Sequence, residues 1–510
     1  MLPLAQLSLD LPDTVSTREV VNHLDGKYTL NEFPSQTKEF TFFDSFDWRL
    51  YEKNRLCYLQ DKTLYLTDFS DRQQVPPLPL TGRPHRFWWQ FPKSDMKQAL
   101  AGILDMRALL PYTSFSQATR ELRVTNKDEK IVAIVLLMEL DLGSGKNIRS
   151  VRLCEVRGYN KWFLKLSRDL SSFGETRPDT RVQTLKAAIA AVGRVPMDYS
   201  SGFSVPLTPD MESLTAVKTI YQDLLTTMLV NEQGIIDDLD SEFLHDFRVA
   251  IRRTRSGLTL IKDVLDPEIS SRFKDDFRYL GQITGPMRDL DVYLLMEGNY
   301  KARLPEHLQE GLHYFFEDLT KKRDRELKKL VRALREPRYR SITSDWQEFL
   351  NGEANELQGK NSPVAIETLA RKIITKRFQR ILRDGKAINQ GSPDEELHRL
   401  RIQGKKLRYS LEFFSSLFPK QEMKKLIKQL KLLQDNLGDF NDLSVQQEML
   451  EHYLAAIKPS TVKSKKLSAA IGGLVTNLYH EHRRVRTQFE ETFTRFATKK
   501  NLALYRKLFG

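Results

Sequence analysis

The sequence predicts a multidomain α+β protein: a β-rich amino-terminal part followed by an all-α region built from two similar halves. Three observations carry this expectation. Between Thr37 and about Ser172, short runs rich in β-branched and aromatic residues dominate. After Asp210, helical periodicity runs almost to the carboxyl terminus. Within that helical part a basic pattern occurs twice. His245-Asp-Phe-Arg248-Val-Ala-Ile-Arg252-Arg253-Thr-Arg255 returns 153 residues later as His398-Arg-Leu-Arg401-Ile-Gln-Gly-Lys405-Lys406-Leu-Arg408. Gly285-Pro-Met-Arg288-Asp289 returns at the same offset as Gly438-Asp-Phe-Asn441-Asp442. Two landmarks kept at one spacing mark a duplicated structural unit.

The strand signals are Phe40–Phe43, Arg55–Leu59, Thr63–Thr67, Glu121–Thr125, Ile131–Leu142 and Val151–Val156. Pro76, Pro77, Pro79, Gly82 and Pro84 mark a loop, and residues 94–110 read as helical. From Gly174 to Pro209 the chain reads as a connector with a short helix around Leu185–Val192. The helical segments that follow lie near 211–231, 241–265, 268–298, 305–336, 363–387, 394–417, 419–435, 438–457 and 461–499, separated in several places by breakers such as Pro267, Gly391-Ser-Pro393 and Pro419. Residues 340–362 read as the link between the copies, which leaves about four helices in each, as in paired antiparallel bundles. The expected division is therefore 1–175, a connector at 176–209, and a helical domain at 210–510 with halves at about 210–340 and 362–510.

Composition narrows the class. Apolar content of 40% and charged content of 29% describe an ordinary globular chain. The longest apolar run, Ile131–Met138, is too short to span a bilayer. Met1–Asp13 has neither a basic start nor a long apolar core, so no secretory signal is expected. Two cysteines, Cys57 and Cys154, form no disulfide framework and fit a reducing cytoplasm, and no Cys/His spacing suggests zinc. Of the net charge of +13, residues 1–209 hold +4 and residues 210–510 hold +9. That excess is modest for a general nucleic-acid coat, so the arrangement of the cations matters more than their number.

On a helix, His245, Arg248, Arg252 and Arg255 fall at roughly 0, −60, −20 and −80°, a stripe about 80° wide. His398, Arg401, Lys405 and Arg408 fall on an equivalent stripe, with Arg253 and Lys406 to one side. Phe247, Val249, Ile251 and Leu258, and in the second copy Leu400, Ile402, Leu407 and Leu411, cover other faces. A cationic edge beside an apolar one, made twice, points to an anionic ligand.

At these stripes the sequence resembles the CHAD family, named for its conserved-histidine α-helical domain. The motifs are LHDFRVAIRRTRSGL at 244–258, GPMRDLDV at 285–292, LHRLRIQGKKLRYSLEFF at 397–414 and LQDNLGDFNDL at 433–443. The resemblance covers about 210–510. It implies two four-helix bundles related by pseudo-twofold symmetry and non-catalytic binding of inorganic polyphosphate in a basic groove, with attachment to polyphosphate granules as a further expectation. The amino-terminal part resembles, more weakly, a CYTH domain, through Phe42-Phe-Asp44-Ser-Phe-Asp47-Trp-Arg-Leu50 and Arg157-Gly-Tyr-Asn-Lys161. The catalytic form of that fold starts with Glu-x-Glu-x-Lys and alternates arginines in a later strand. Nothing before residue 40 matches the first feature, and Leu56-Cys57-Tyr58-Leu59 stands at the second. The expectation is a degenerate, inactive CYTH-like domain. The alternative is a Mg²⁺-dependent inorganic triphosphatase acting there.

Polyphosphate is a flexible polyanion without bases, so cations at intervals suffice to bind it. Arg offers a planar fork and Lys a point charge. The expected contacts are His245, Arg248, Arg252, Arg253, Arg255, Arg288, His398, Arg401, Lys405, Lys406, Arg408 and Tyr409, with Asp289 and Asp442 bracing the stripes. No catalytic residue, metal or cofactor is expected, and no membrane partner. Nucleic acid is disfavoured because aromatic residues are not interleaved with these cations.

Overall fold

The computed structural model describes residues 5–143, 147–176, 181–352, 358–458 and 460–510, and divides into two compact units, 1–201 and 202–510.

In the first unit, period-two alternation builds one antiparallel sheet. Its strands are β1 (Gln6–Leu11), β2 (Thr29–Glu32), β3 (Gln36–Asp44), β4 (Arg55–Gln60), β5 (Thr63–Asp68), β6 (Leu78–Pro79), β7 (Leu110–Thr125), β8 (Ile131–Asp141), β9 (Asn147–Glu155) and β10 (Glu175–Thr176). The order is β10-β1-β9-β8-β7-β3-β4-β5-β6, with β2 also on β7. The helices are α1 (Thr17–Asp25), α2 (Arg49–Glu52), α3 (Asp95–Leu104), α4 (Asn160–Leu170) and α5 (Arg181–Ala191). Burial of both sheet faces supplies the driving force. Leu9, Leu122, Val135 and Leu153 pack on α1 and α4 through Val20, Leu24 and Leu166. Phe40, Phe42, Trp48 and Phe115 pack on α5 through Leu185, Ala188 and Ile189.

Two expectations are corrected here. The ordered sheet begins well before Thr37: Leu7, Leu9 and Leu11 alternate with polar residues in β1, and a capping box between Ser16 and Glu19 starts α1. The stretch read as a connector contains α5, whose apolar face closes a core cluster of the sheet, so residues 181–191 belong to the first unit.

The second unit contains α6 (Ser213–Ile236), α7 (Ser241–Leu260), α8 (Pro267–Leu295), α9 (Glu297–Ala302), α10 (Glu306–Arg335), α11 (Pro337–Asn351), α12 (Ile366–Ala387), α13 (Asp394–Phe413), α14 (Lys420–Ala455), α15 (Val462–Thr487), α16 (Phe489–Phe496) and α17 (Lys499–Phe509). The offset of 153 survives in three dimensions. It carries the start of α6 to the start of α12, both ends of α7 to both ends of α13, and the start of α8 to the start of α14. The halves also meet through equivalent atoms. Ser213 N–H donates to Val364 C=O (2.9 Å), and Ile366 N–H donates to Met211 C=O (2.9 Å). Each of these bonds is the other shifted by 153 residues, which is the exchange an isologous contact requires.

Three helix expectations change. Residues 419–435 and 438–457 form one helix, α14, because Gly438 lies within a continuous turn of hydrogen bonds and breaks nothing. The proposed link at 340–362 holds most of α11, whose Trp346 packs against Tyr221, Phe273 and Phe277 in the core. The segment read as one helix at 461–499 divides at Gln488 and again near Thr498, where a Thr cap starts α17. No helix among the described residues is long and apolar enough to cross a membrane.

Candidate functional site

Asp240 caps α7 by accepting from Glu242 N–H (2.9 Å) and Phe243 N–H. This cap fixes the start of the first basic helix. Buried Phe243, Phe247, Ile251 and Leu258 then anchor one side of α7, which turns Arg252 and Arg255 outward. α13 is held in the same way by Leu397, Leu400, Leu407 and Leu411. α7 packs against α13, so the two His-led helices meet across the pseudo-twofold.

Their charges meet as well. Burial first, then the nearby guanidinium groups of Arg401 and Arg252, push the Lys405 ammonium down to about 8, with Asp442 opposing. Arg252 lies on α7 and Lys405 on α13, so each half of the repeat raises the positive potential felt by the other. Burial also works against the charge on Arg248. Asp289 counters it, while Arg252, Arg288 and Arg255 add to it. Arg255 is disfavoured by burial and by Arg278. Among the described residues no ion pair or hydrogen bond engages the side-chain nitrogens of Arg252, Arg255 or Lys405. Cations drawn together with so little compensation favour an anion between them.

The remaining cations of the stripes are positioned by polar neighbours. Arg248 Nη1 donates to Gly281 C=O (3.0 Å) and Thr284 Oγ1 (2.8 Å). Gly281 also leaves room for Arg255, since a Cβ there would lie 3.1 Å from its Nη1. Arg401 Nη2 donates to Asp442 Oδ1 (3.1 Å), and Arg408 Nε donates to Glu412 Oε1 (2.6 Å). Asp442 therefore braces its stripe through a direct ion pair, whereas Asp289 acts on Arg248 through space.

The two histidines occupy equivalent places with opposite hydrogen-bond roles at Nδ1. Arg288 Nη2 approaches His245 Nδ1 (3.0 Å). A guanidinium only donates, so that nitrogen accepts. His398 Nδ1 meets Asn441 Oδ1 (2.7 Å), and the amide nitrogen of Asn441 donates to Asp442 (3.3 Å). The carboxylate fixes the amide orientation, so His398 donates from Nδ1. Arg288 against Asn441 is the cause of the difference.

Three expected contacts fall outside this central arrangement. Arg253 is ion-paired to Glu412 (3.0 Å), the two side chains being only 14% and 13% exposed, and its guanidinium lies over Phe203. Tyr409 is 8% exposed with its ring against Phe413, so it is a core residue. Lys406 turns toward α12, where Arg377 and Arg380 are its charged neighbours. In each case a single step along the helix, about 100°, carries the side chain off the shared stripe. Sequence reasoning did not pick out Gly281, Thr284, Arg278, Glu412 or Gln434. Gln434 stands where the offset places Gly281, and both atoms of its amide are buried without a hydrogen-bond partner beside Gly404. Such a group suits a water or a ligand oxygen. A comparison of the two copies position by position would have exposed Gly281 and Gln434 as a pair.

The first unit holds an open cavity of about 390 Å³. Lys38, Arg152 and Arg181 supply cations to its wall, and Gln6, Gln36, Gln60 and Gln117 supply neutral amides. Asp71 is the carboxylate on that wall among the described residues, and it is ion-paired to Arg181 (3.5 Å). No group of three or more His, Cys, Asp or Glu side chains suited to a metal occurs among the described residues. Mg²⁺ requires several hard oxygen ligands, commonly carboxylates with substrate phosphates. This donor set of amides and one committed Asp does not fit it.

The family model of the CHAD domain matches residues 219–451. An uncharacterized protein of Mycobacterium tuberculosis, found in two strains, is 27% identical over 213 residues, 41% of this chain and 39% of its own length. The match thus spans well under half of those relatives. The crystal structure of the CHAD domain from the plant Ricinus communis is similar at 26% identity and a TM-score of 0.47, covering 56% of this chain and 94% of that one. PptA from Streptomyces chartreusis is similar at 18% identity and a TM-score of 0.44, covering 56% and 100%. A Hippeastrum protein described as an adenylyl cyclase with a dominant triphosphatase activity is similar at 13% identity and a TM-score of 0.27, covering 38% and 98%.

Proposed function

Starting from a chain that carries a CHAD domain at residues 219–451, we propose that the helical unit binds inorganic polyphosphate without turning it over. The contacts are Arg248, Arg252 and Arg255 from α7 and Arg401, Lys405 and Arg408 from α13, with His398 as an added donor. The observation that carries this reading is the meeting of Arg252 and Lys405 from opposite halves, at a place where burial and like charge already weigh on the lysine. A phosphate oxygen set between them would relieve that repulsion and accept several charge-assisted hydrogen bonds. Each is worth roughly 1.5–3 kcal/mol before desolvation and ordering of the chain are subtracted, so a handful gives sub-micromolar affinity, about −8 kcal/mol or better. Attachment to polyphosphate granules in the cytoplasm would follow from such affinity.

Titration calorimetry with long-chain polyphosphate at several salt concentrations tests the reading. Six cation–phosphate contacts predict a slope of log K against log salt near −4, by analogy with single-stranded nucleic acid at about −0.7 per contact. Undetectable binding at low salt, or a flat salt response, would rule out an electrostatic polyphosphate site.

The alternative, a Mg²⁺-dependent triphosphatase in the first unit, meets a cavity whose wall offers amides in place of metal-holding carboxylates. The expected result of a phosphate-release assay on tripolyphosphate with Mg²⁺ is no turnover above background. Robust release that disappears in Lys38→Ala or Arg152→Ala would establish the enzyme reading instead.

A further inference from the structure

The two halves treat the cation beside the central stripe in opposite ways. In the first half that cation is Arg253. It is ion-paired to Glu412 (3.0 Å), and Asp223 on α6 also lies within its electrostatic reach. The offset of 153 carries Arg253 to Lys406 and Asp223 to Lys376. It also carries Thr227 to Arg380 and the buried Leu224 to Arg377. Acidic and neutral positions in the first half are thus cationic in the second.

The second-half cations lie together on one face. α12 and α13 are consecutive, packed helices. A groove of about 380 Å³ runs along them, with Arg380, Arg383 and Asp384 on one wall and Glu396, Arg399 and Gln403 on the other. One turn back from Arg380 on α12 is Arg377, and one turn on from Gln403 on α13 is Lys406. Residues three apart share a helix face, so both extend the groove in the same direction. Inside the groove the carboxylates are used: Asp384 pairs with Arg383 (2.9 Å) and Arg380 (3.5 Å), and Glu396 with Arg399 (3.3 Å). At its Arg377–Lys406 end no carboxylate is engaged. Neither side chain makes an ion pair among the described residues, and each is half-buried and disfavoured by burial and by the neighbouring guanidinium groups. Half-buried like charges left without a counter-ion in one half, and neutralised at the equivalent place in the other, mark a position where an external anion completes the balance.

We propose that the α12–α13 face is a second anion track, centred on Arg377, Arg380 and Lys406, which takes the continuing phosphates of a polyphosphate chain whose first run lies on the central stripe. The inference rests on the polyphosphate reading above. Lys405 faces the central stripe and Lys406, the next residue, faces the groove, so a flexible chain crosses from one to the other over the surface of α13 at Ile402, which is 39% exposed. The first half offers no such continuation, so the track runs to one side only. Long chains should therefore gain affinity over short ones beyond what the central stripe provides.

The test compares tripolyphosphate with long-chain polyphosphate on the full chain, using wild type and the double variant Arg377→Gln/Arg380→Gln. The expected result is tripolyphosphate affinity within about twofold of wild type and long-chain affinity at least about tenfold weaker, as the loss of two charged contacts implies. The exposed single variant Arg380→Gln leaves the core untouched and should show a smaller loss in the same direction, which keeps the comparison usable if the double variant folds poorly. Unchanged long-chain affinity, or an equal loss for both chain lengths, overturns the second track while leaving the central site standing. A wild-type protein that binds neither probe overturns the polyphosphate reading and this inference together.

Discussion

Reversing the charge of Arg252, Arg255, Lys405 and Arg408 to Glu should abolish polyphosphate binding, with affinity reduced by about a thousandfold or more. The magnitude follows from four charged contacts at roughly 1.5–3 kcal/mol each, discounted for non-additivity within one cluster. Charge removal without reversal gives a sharper reading of the same site. Arg252, Arg255 and Lys405 lack carboxylate ion pairs among the described residues, and Lys405 is disfavoured where it stands. Replacing Lys405 with Met, an apolar side chain of similar length, should weaken binding while leaving the thermal midpoint of the ligand-free protein unchanged or higher. A residue kept for folding would behave oppositely, because its loss would lower the midpoint. Titration calorimetry and a thermal melt on the same preparations separate the outcomes. A variant that melts lower yet binds as wild type would remove Lys405 from the site.

The second large effect is a pH dependence centred on Lys405. With its ammonium pushed down to about 8 in the free protein, the side chain is about nine-tenths charged at pH 7 and about one-tenth charged at pH 9. A phosphate beside it favours the charged form, so binding takes up a proton above pH 8. Affinity should then fall as pH rises from 7 to 9 by up to about tenfold, the ratio of the charged fractions at the two ends of that range. Lys405→Arg keeps the charge throughout this range and should flatten the profile. The stability of the ligand-free protein moves the other way. The unfolded chain holds this proton up to its ordinary pKa near 10.5, whereas the folded chain releases it near 8. The folded state is therefore relieved of an unfavourable charge between those values, and its stability rises with pH across that window. A binding profile that is flat from pH 7 to 9 in wild type would show that Lys405 does not touch the anion.

Much of the helical unit is legible in the chain because its periodicity and its repeat are written in the same residues. His245 and His398, and Gly285 and Gly438, fix an offset that the helix boundaries then obey. The first unit was harder to read. β1 and α1 were missed because three leucines alternating over six residues make a weak signal until β9 and β10 pair with them. The helix expected around Leu185–Val192 is there as α5, but its place in the first unit declares itself only once Phe40, Trp48 and Phe115 are in place to receive its apolar side. The break expected between residues 435 and 438 does not form, because the long apolar face of α14 carries through it and Gly438 only weakens a helix.

The sequence by itself determined that two equivalent helices each present a cationic edge, because the spacing of His245, Arg248, Arg252 and Arg255 and of their counterparts fixes one face at 3.6 residues per turn. Spacing along a helix cannot say what lies across from that face. The packing of α7 on α13 decided that Arg252 bears on Lys405 and that Arg253 is neutralised by Glu412, while the packing of α12 on α13 decided that Lys406 turns to Arg377 and Arg380. Burial and Coulomb interaction depend on distances between segments far apart in the chain, and those distances exist only once the two halves have met.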